Sequence, residues 1–124
     1  MPPRKILVVD DEPEVRKLME HFLTDRGYQV RLAANGREGL DAIDSFAPDV
    51  VLLDMHMPEM DGLETLKQLA LRAPSLPVIM VTVNDDIQTT SELLQFGAAD
   101  YVPKPFNLDY LEQAINIQLS AARH

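Results

Sequence analysis

Residues 50–62 read VVLLDMHMPEMDG, and this stretch decides the fold. Four apolar residues lead directly into Asp54, and a segment rich in turn-forming residues follows, with Pro58, Asp61 and Gly62. A short unbroken apolar run is typical of a strand buried on both faces of a parallel sheet. Asp54 then lies at the carboxyl end of that strand, where open parallel sheets bind their ligands. A lone aspartate is also common in turns, so its meaning depends on the rest of the chain.

Size and composition exclude several classes of protein. The 124 residues suit one domain with one core. No apolar run approaches the roughly 20 residues that cross a bilayer, and residues 1–5 lead into a strand, not into a signal peptide. The chain has no cysteine, which excludes disulfides and thiolate chemistry. We therefore expect a cytoplasmic protein that does not bind membranes.

The charge balance indicates which partners to expect. Acidic residues number 20 against 11 basic ones, for a formal charge of −9. This balance argues against direct binding to nucleic acid, which needs clustered lysine and arginine. It is compatible with partners that are proteins or cations, although solubility alone explains most surface acids.

Five apolar runs alternate with five amphipathic stretches. The runs predict strands at 5–9, 28–33, 50–54, 78–82 and 99–102, each followed by a helix, the last reaching about Ala122. Pro103 places the fifth strand at an edge of the sheet. Regular alternation predicts a parallel sheet with helices on both faces, which is a doubly wound α/β domain.

Local signals mark the helix ends and faces. Pro13 suits the first turn of the first helix, and Gly27 suits its carboxyl end. Asn35 with Glu38, and likewise Asp61 with Glu64, resemble capping boxes. One apolar face of the first helix is predicted to carry Val15, Leu18, Met19, Phe22 and Leu23.

The last helix has two apolar stripes. The first, predicted to face the core, comprises Leu108, Leu111, Ile115, Leu119 and Ala122. The second comprises Tyr110, Ala114, Ile117 and Ala121. An apolar stripe away from the core can mark a partner surface, and incidental packing is the alternative.

Polar side chains end or directly follow four of the predicted strands: Asp10 and Asp11, then Asp54, Thr82 and Lys104. If the strand order is 2-1-3-4-5, the aspartates converge between the first and third strands. Two charges 4 Å apart repel by roughly 4 kcal/mol at an effective dielectric constant near 20. A divalent cation would offset this repulsion, and an all-oxygen site with few protein ligands favours Mg²⁺. A carboxylate, a metal, a lysine and a hydroxyl are the groups that transfer of a phosphoryl group to aspartate requires.

These motifs resemble the receiver domain of two-component response regulators. The resemblance lies in VVDDE at 8–12, LLDMHMPEMDG at 52–62, VT at 81–82 and KPF at 104–106, and it spans about residues 4–122. It implies a flavodoxin-like fold, with a single five-stranded parallel sheet in the order 2-1-3-4-5 and five helices. It also implies a phosphorylation-dependent switch, which is not a conventional turnover enzyme although it catalyses its own phosphorylation and slow dephosphorylation.

The resemblance further implies a role for each matching residue. Asp54 would accept a phosphoryl group from a histidine kinase or phosphotransfer protein. Asp11 and Asp54 would bind Mg²⁺ directly, with Asp10 close by and the backbone carbonyl of His56 as the remaining protein ligand.

A second group of residues would respond to the phosphoryl group. Thr82 and Lys104 would contact its oxygens, and the Lys104–Pro105 peptide would be cis. Tyr101 would turn inward as Thr82 moves. The face formed by the fourth helix, fifth strand and fifth helix would then bind an effector domain or a second copy of the chain.

Three other classes of protein fit the sequence less well. A Mg²⁺-dependent hydrolase that forms an aspartyl phosphate would need a cap over its substrate, for which the chain has no spare residues. A degenerate receiver that serves only for binding would lack an acidic or lysine position, and all are present. A flavodoxin-like cofactor carrier would need a glycine- or hydroxyl-rich loop after the first strand.

Val83 departs from the family pattern, in which the residue after the threonine is usually small. We expect its β-branched side chain to hinder the phosphodonor or the attacking water and to slow phosphoryl turnover. Val83→Ala should therefore accelerate phosphorylation and dephosphorylation, measured as rates of gain and loss of the phosphoryl group. Unchanged rates for both reactions would contradict this hypothesis.

Overall fold

The computed structural model describes residues 3–57, 60–83, 87–105 and 107–121, with the side chains of 87–89 left aside. The five strands are β1 (Lys5–Val9), β2 (Gln29–Ala33), β3 (Val50–Asp54), β4 (Val78–Thr82) and β5 (Asp100–Pro103). The five helices are α1 (Pro13–Asp25), α2 (Gly36–Phe46), α3 (Gly62–Arg72), α4 (Ile87–Gln95) and α5 (Leu108–Ala121). The predicted alternation is confirmed, although β2 begins one residue later than predicted and β5 is displaced by one residue toward the carboxyl terminus.

The sheet is parallel throughout, in the order β2-β1-β3-β4-β5. All five residues of β3 are buried, as its unbroken apolar run predicts. β1 lies beside β3, with Val9 paired to Leu53, so Asp10 and Asp54 follow at the same edge. This topology is the predicted doubly wound, flavodoxin-like one.

The core has two layers because successive strand residues point to opposite faces of the sheet. On one face, Leu7, Val9 and Leu53 belong to a buried cluster that also contains residues of α2, α3 and α4. On the other face, Ile6 and Val8 belong to a cluster with residues of α1 and α5. Both faces of the sheet are therefore covered, and its carboxyl edge is left for polar groups.

The predicted caps of α2 and α3 form, but the glutamate side chains do not make the return hydrogen bonds of a capping box. Asn35 Oδ1 accepts a hydrogen bond from the Glu38 N–H, and Asp61 Oδ1 accepts one from the Glu64 N–H, each at 2.9 Å. Glu38 Oε1 accepts instead from the Ala34 N–H at 2.9 Å, one residue before the cap. The Glu64 carboxylate accepts from the Gln68 side chain at 3.3 Å. Each glutamate thus satisfies a different neighbour from the one that the capping-box pattern predicts.

Two predictions about helix faces were wrong. Leu18 is 45% exposed, because α1 buries a narrow stripe centred on Met19 and Leu23. Ala114 is 3% exposed and belongs to the core with Leu111 and Ile115, since residues three and four apart share a helix face. The second stripe of α5 therefore consists of exposed Tyr110, Ile117 and Ala121.

Pro58, Phe106 and Ala122, which belong to the sequence patterns above, lie outside the described residues. Within the described ranges, no helix combines the length and apolar character needed to cross a bilayer.

The two faces of α5 can be compared by matched truncations. Leu111 is fully buried and Ile117 is 61% exposed. Leu111→Ala should lower the free energy of unfolding by about 2–5 kcal/mol, because it leaves a cavity. Ile117→Ala should change it by less than about 0.5 kcal/mol. Urea unfolding followed by circular dichroism measures both values, and equal losses would contradict the assignment of the faces.

Candidate functional site

The carboxyl ends of β1 and β3 bring four acidic side chains together. Carboxylate oxygens of Asp10, Asp11, Glu12 and Asp54 all lie within 4.8 Å of one another. Asp10 and Asp54 are buried, Asp11 is partly buried and Glu12 is exposed. The predicted convergence of the three aspartates is confirmed, and it follows from the pairing of β1 with β3.

Backbone contacts fix the turn that carries three of these acids. The Asp10 N–H donates to the carbonyl of Ala33 at 3.0 Å. Asp10 Oδ1 accepts from the Glu12 N–H at 2.9 Å, and the Asp10 carbonyl accepts from the Arg16 guanidinium at 2.8 Å. Asp10 is thus held on its backbone and on one carboxylate oxygen, which leaves its other oxygen facing the site.

Lys104 enters the acidic cluster from the end of β5. Its Nζ lies 3.1 Å from Asp10 Oδ2, 3.4 Å from Glu12 Oε1 and 3.4 Å from Asp54 Oδ1. Burial alone would lower the pKa of Lys104, but the charges and hydrogen bonds of Asp10, Asp54 and Glu12 outweigh it, so the pKa is raised. The ammonium therefore stays charged at neutral pH and faces several carboxylates at once.

Asp54 is the carboxylate that this environment perturbs most clearly. Burial raises its pKa to about 6 from 3.8, and the charge of Asp10 adds to the rise. Lys104 and the His56 N–H, which donates to Asp54 Oδ1 at 3.3 Å, oppose the rise. Because the folded protein keeps this proton up to about pH 6 and the unfolded chain releases it near pH 3.8, the group lowers stability as pH rises through that interval.

Gly62 holds the loop after β3 against the strand end. Its N–H donates to the carbonyl of Met55 at 2.8 Å. A Cβ at this position would overlap the backbone of Asp54 and Met55. A glycine directly after the cap residue Asp61 thus lets α3 begin close behind the Asp54 carboxylate.

The other predicted residues occupy the surroundings of this cluster. Thr82 ends β4 and is fully buried, and its carbonyl accepts from the Lys104 N–H at 2.8 Å. Tyr101 is partly buried against the core layer shared with α2, α3 and α4. The His56 side chain is exposed and does not belong to the acidic cluster found among the described residues. The Lys104–Pro105 peptide is cis, as expected.

Glu12 is the member of the cluster that the sequence interpretation left out. The acidic run at 10–12 was visible, but the interpretation assigned site roles only to its first two residues. The side chain of glutamate is one methylene longer than that of aspartate, and this length lets Glu12 reach Lys104 from the start of α1. The unbroken acidic run at 10–12 was the available signal.

The donor set fits a hard divalent cation. Carboxylate oxygens are the ligands that Mg²⁺ prefers, usually with one or two carboxylates and retained waters. Asp11 and Asp54 offer such oxygens, and Asp10 lies beside them. Within the described ranges, Lys104 is the cation within ion-pair distance of the cluster, so the negative charges are incompletely balanced without a metal.

Comparison with known proteins agrees with this geometry. The family model for the response regulator receiver domain matches residues 6–116. Response regulator MprA of Mycolicibacterium vanbaalenii is 46% identical over 109 residues, which cover 88% of this chain and 47% of that protein. The DNA-binding transcriptional regulator NtrC of Klebsiella pneumoniae is 44% identical over 102 residues, covering 82% of this chain and 22% of that protein.

A solved structure shows the same architecture. The CheY-like response regulator receiver domain protein from Methanospirillum hungatei superimposes with a TM-score of 0.92 at 30% identity, and the match covers 98% of this chain and 97% of that one. The chain thus spans less than half the length of the two curated relatives, whereas its match covers nearly all of this solved chain. Together with the acidic cluster, these matches establish that the chain belongs to the family of response regulator receiver domains of two-component signalling.

Proposed function

We propose that the chain is a phosphorylation-dependent signalling switch that accepts a phosphoryl group on Asp54. The observation that supports this most strongly is the convergence of buried Asp54, its acidic neighbours and Lys104 at one strand edge. A histidine kinase or phosphotransfer protein in the cytoplasm is the proposed donor.

The transfer step uses the Asp54 carboxylate as nucleophile. One carboxylate oxygen bonds to phosphorus while the bond from phosphorus to the donor's imidazole nitrogen breaks. The bonding pair returns to that nitrogen, which takes a proton from water. Because the pKa of Asp54 is about 6 in the metal-free protein, the reactive ionised form predominates only above that pH.

Asp11, Asp54 and the backbone carbonyl of His56 are the proposed ligands of Mg²⁺, with Asp10 beside them. When bound, the ion neutralises charge on the carboxylates and on the transferring oxygens. The family membership supports this assignment, as does the excess of carboxylates over cations in the described cluster.

Lys104 and Thr82 are proposed to bind the phosphoryl oxygens once they are on Asp54. Lys104 Nζ is already 3.4 Å from Asp54 Oδ1, so a small movement of the ammonium group would bring it to the phosphoryl oxygens. The backbone hydrogen bond between Lys104 and Thr82 couples the two residues. Thr82 then draws Tyr101 inward. The charge of the phosphoryl group is thus a local event that biases an element with two conformations.

The face made by α4, β5 and α5 is the proposed output surface. It carries Tyr110 and Ile117, which are 48% and 61% exposed. Its partner is an effector domain or a second copy of this chain. MprA is a response regulator and NtrC a DNA-binding transcriptional regulator, and both are longer than this chain. Any nucleic acid binding would belong to a partner, because the chain carries a formal charge of −9.

A conventional hydrolase that passes through an aspartyl phosphate is a weaker candidate. Such an enzyme needs a substrate pocket over its nucleophile. The described residues build ten elements and short connections, none of which forms a cap above Asp54. We therefore propose that the catalytic equipment acts on the chain itself.

Phosphorylation tests the proposal directly. Incubation with acetyl phosphate and Mg²⁺ should add the mass of one phosphoryl group to the intact protein, because Asp54 is poised as a nucleophile. Asp54→Asn should abolish the addition, and excess EDTA should prevent it.

Asp61→Asn is the matched control. It removes an exposed carboxylate from the same loop while retaining an oxygen that can cap α3, so phosphorylation should persist. Addition that survives Asp54→Asn, or that proceeds equally well in EDTA, would contradict the proposal. If acetyl phosphate adds nothing, a phosphorylated histidine kinase is the donor to use, and failure with both donors would overturn it.

A further inference from the structure

We propose that Glu12 is a positioning residue that draws Lys104 toward the mouth of the acidic site and so weakens its hold on a phosphoryl group at Asp54. This inference rests on the proposed function. Glu12 acts through Lys104 and does not itself contact the reacting atoms.

The first observation is that Glu12 and Asp54 both contact the ammonium group of Lys104, beside Asp10. Its Nζ lies 3.4 Å from Glu12 Oε1 and 3.4 Å from Asp54 Oδ1. The Lys104 side chain is 11% exposed, whereas that of Glu12 is 61% exposed. Glu12 therefore pulls from the solvent side, and Asp54 pulls from the interior. Asp10, at 3.1 Å, anchors the ammonium between them.

The second observation is that Glu12 leaves a local role unfilled. It is the N-cap residue of α1, with extended backbone angles of −88° and 115°. An aspartate or serine there would accept a hydrogen bond from the first turn of the helix. In the described structure, the Glu12 side chain makes no such cap. Its carboxylate is committed instead to a lysine 92 residues away in the chain.

These contacts imply competition. An ammonium group that also serves Glu12 is less available to oxygens bound at Asp54. Loss of the Glu12 contact should therefore strengthen binding of a phosphoryl group or of a phosphoryl mimic. Since the pair is partly exposed, the expected gain is about twofold to fivefold.

The test measures the dissociation constant of fluoroberyllate, a phosphoryl mimic, at saturating Mg²⁺ and low ionic strength. Glu12→Gln removes the charge and weakens the contact with Lys104. Glu12→Asp keeps the charge but shortens the side chain, so it loses the reach to Lys104 and gains the ability to cap α1. Both variants should bind fluoroberyllate about twofold to fivefold more tightly than wild type.

Glu14→Gln is the matched control, because Glu14 is an exposed acid in the first turn of α1. No contact joins it to Lys104 among the described side chains. The Glu14→Gln variant should bind fluoroberyllate with the same dissociation constant as wild type. Urea unfolding provides a second readout: Glu12→Asp should raise the midpoint through the new cap, and a purely structural role for Glu12 would change the midpoint without changing the affinity.

The outcomes separate the inference from the function on which it rests. If wild type binds no fluoroberyllate, the proposed function fails and the inference fails with it. If wild type binds but Glu12→Gln does not bind more tightly, the inference alone is wrong. If Glu12→Gln binds more tightly while Glu12→Asp matches wild type, the charge at the mouth is responsible and positioning of Lys104 is excluded.

Discussion

Repulsion among carboxylates at the ends of β1 and β3 is the constraint on which the rest of the site depends. Asp10 and Asp54 are both 3% exposed, and their charges meet across two adjacent strands. Burial raises the pKa of Asp54 to about 6, and repulsion from Asp10 adds to the rise, while the charge of Lys104 only partly opposes it. Any added positive charge would stabilise the ionised carboxylates of this site, and for the same reason the site favours a divalent cation.

The fold keeps the acids at one edge of the sheet because the faces of the sheet are covered by helices. The central strand β3 is buried along its whole length, and helices cover both faces of the sheet. Among the described residues, the buried charged side chains, Asp10 and Asp54, both lie at the carboxyl edge. The ends of three strands carry the charged groups of the site: the acidic turn follows β1, Asp54 ends β3, and Lys104 follows β5. The Lys104 N–H also donates a hydrogen bond to the carbonyl of Thr82 in β4. The chemistry follows from the strand order.

Much of this could be predicted from the sequence because the signals are local. Unbroken apolar runs predicted the buried strands, and Asn35 and Asp61 predicted helix starts that the structure confirms. The convergence of the acids needed one further step, the strand order, which the family resemblance supplied.

The predictions that failed depended on tertiary contacts. An apolar pattern gives the direction of a helix face but not its width, so Leu18 was placed inside although it is exposed. Ala114 was placed outside although it is buried in the core. The reach of Glu12 toward Lys104 depends on where the end of β5 lies, and no pattern near residue 12 contains that information.

The measurement that tests the central claim most directly is the pKa of the Asp54 carboxyl. It can be followed by carbon-13 NMR of aspartate-labelled protein, with Asp54→Asn used to assign the resonance. The account predicts a pKa of about 6 without metal and a clear decrease when Mg²⁺ is added, because the ion stabilises the charged form. A pKa near 3.8 without metal, or a value that Mg²⁺ leaves unchanged, would contradict it.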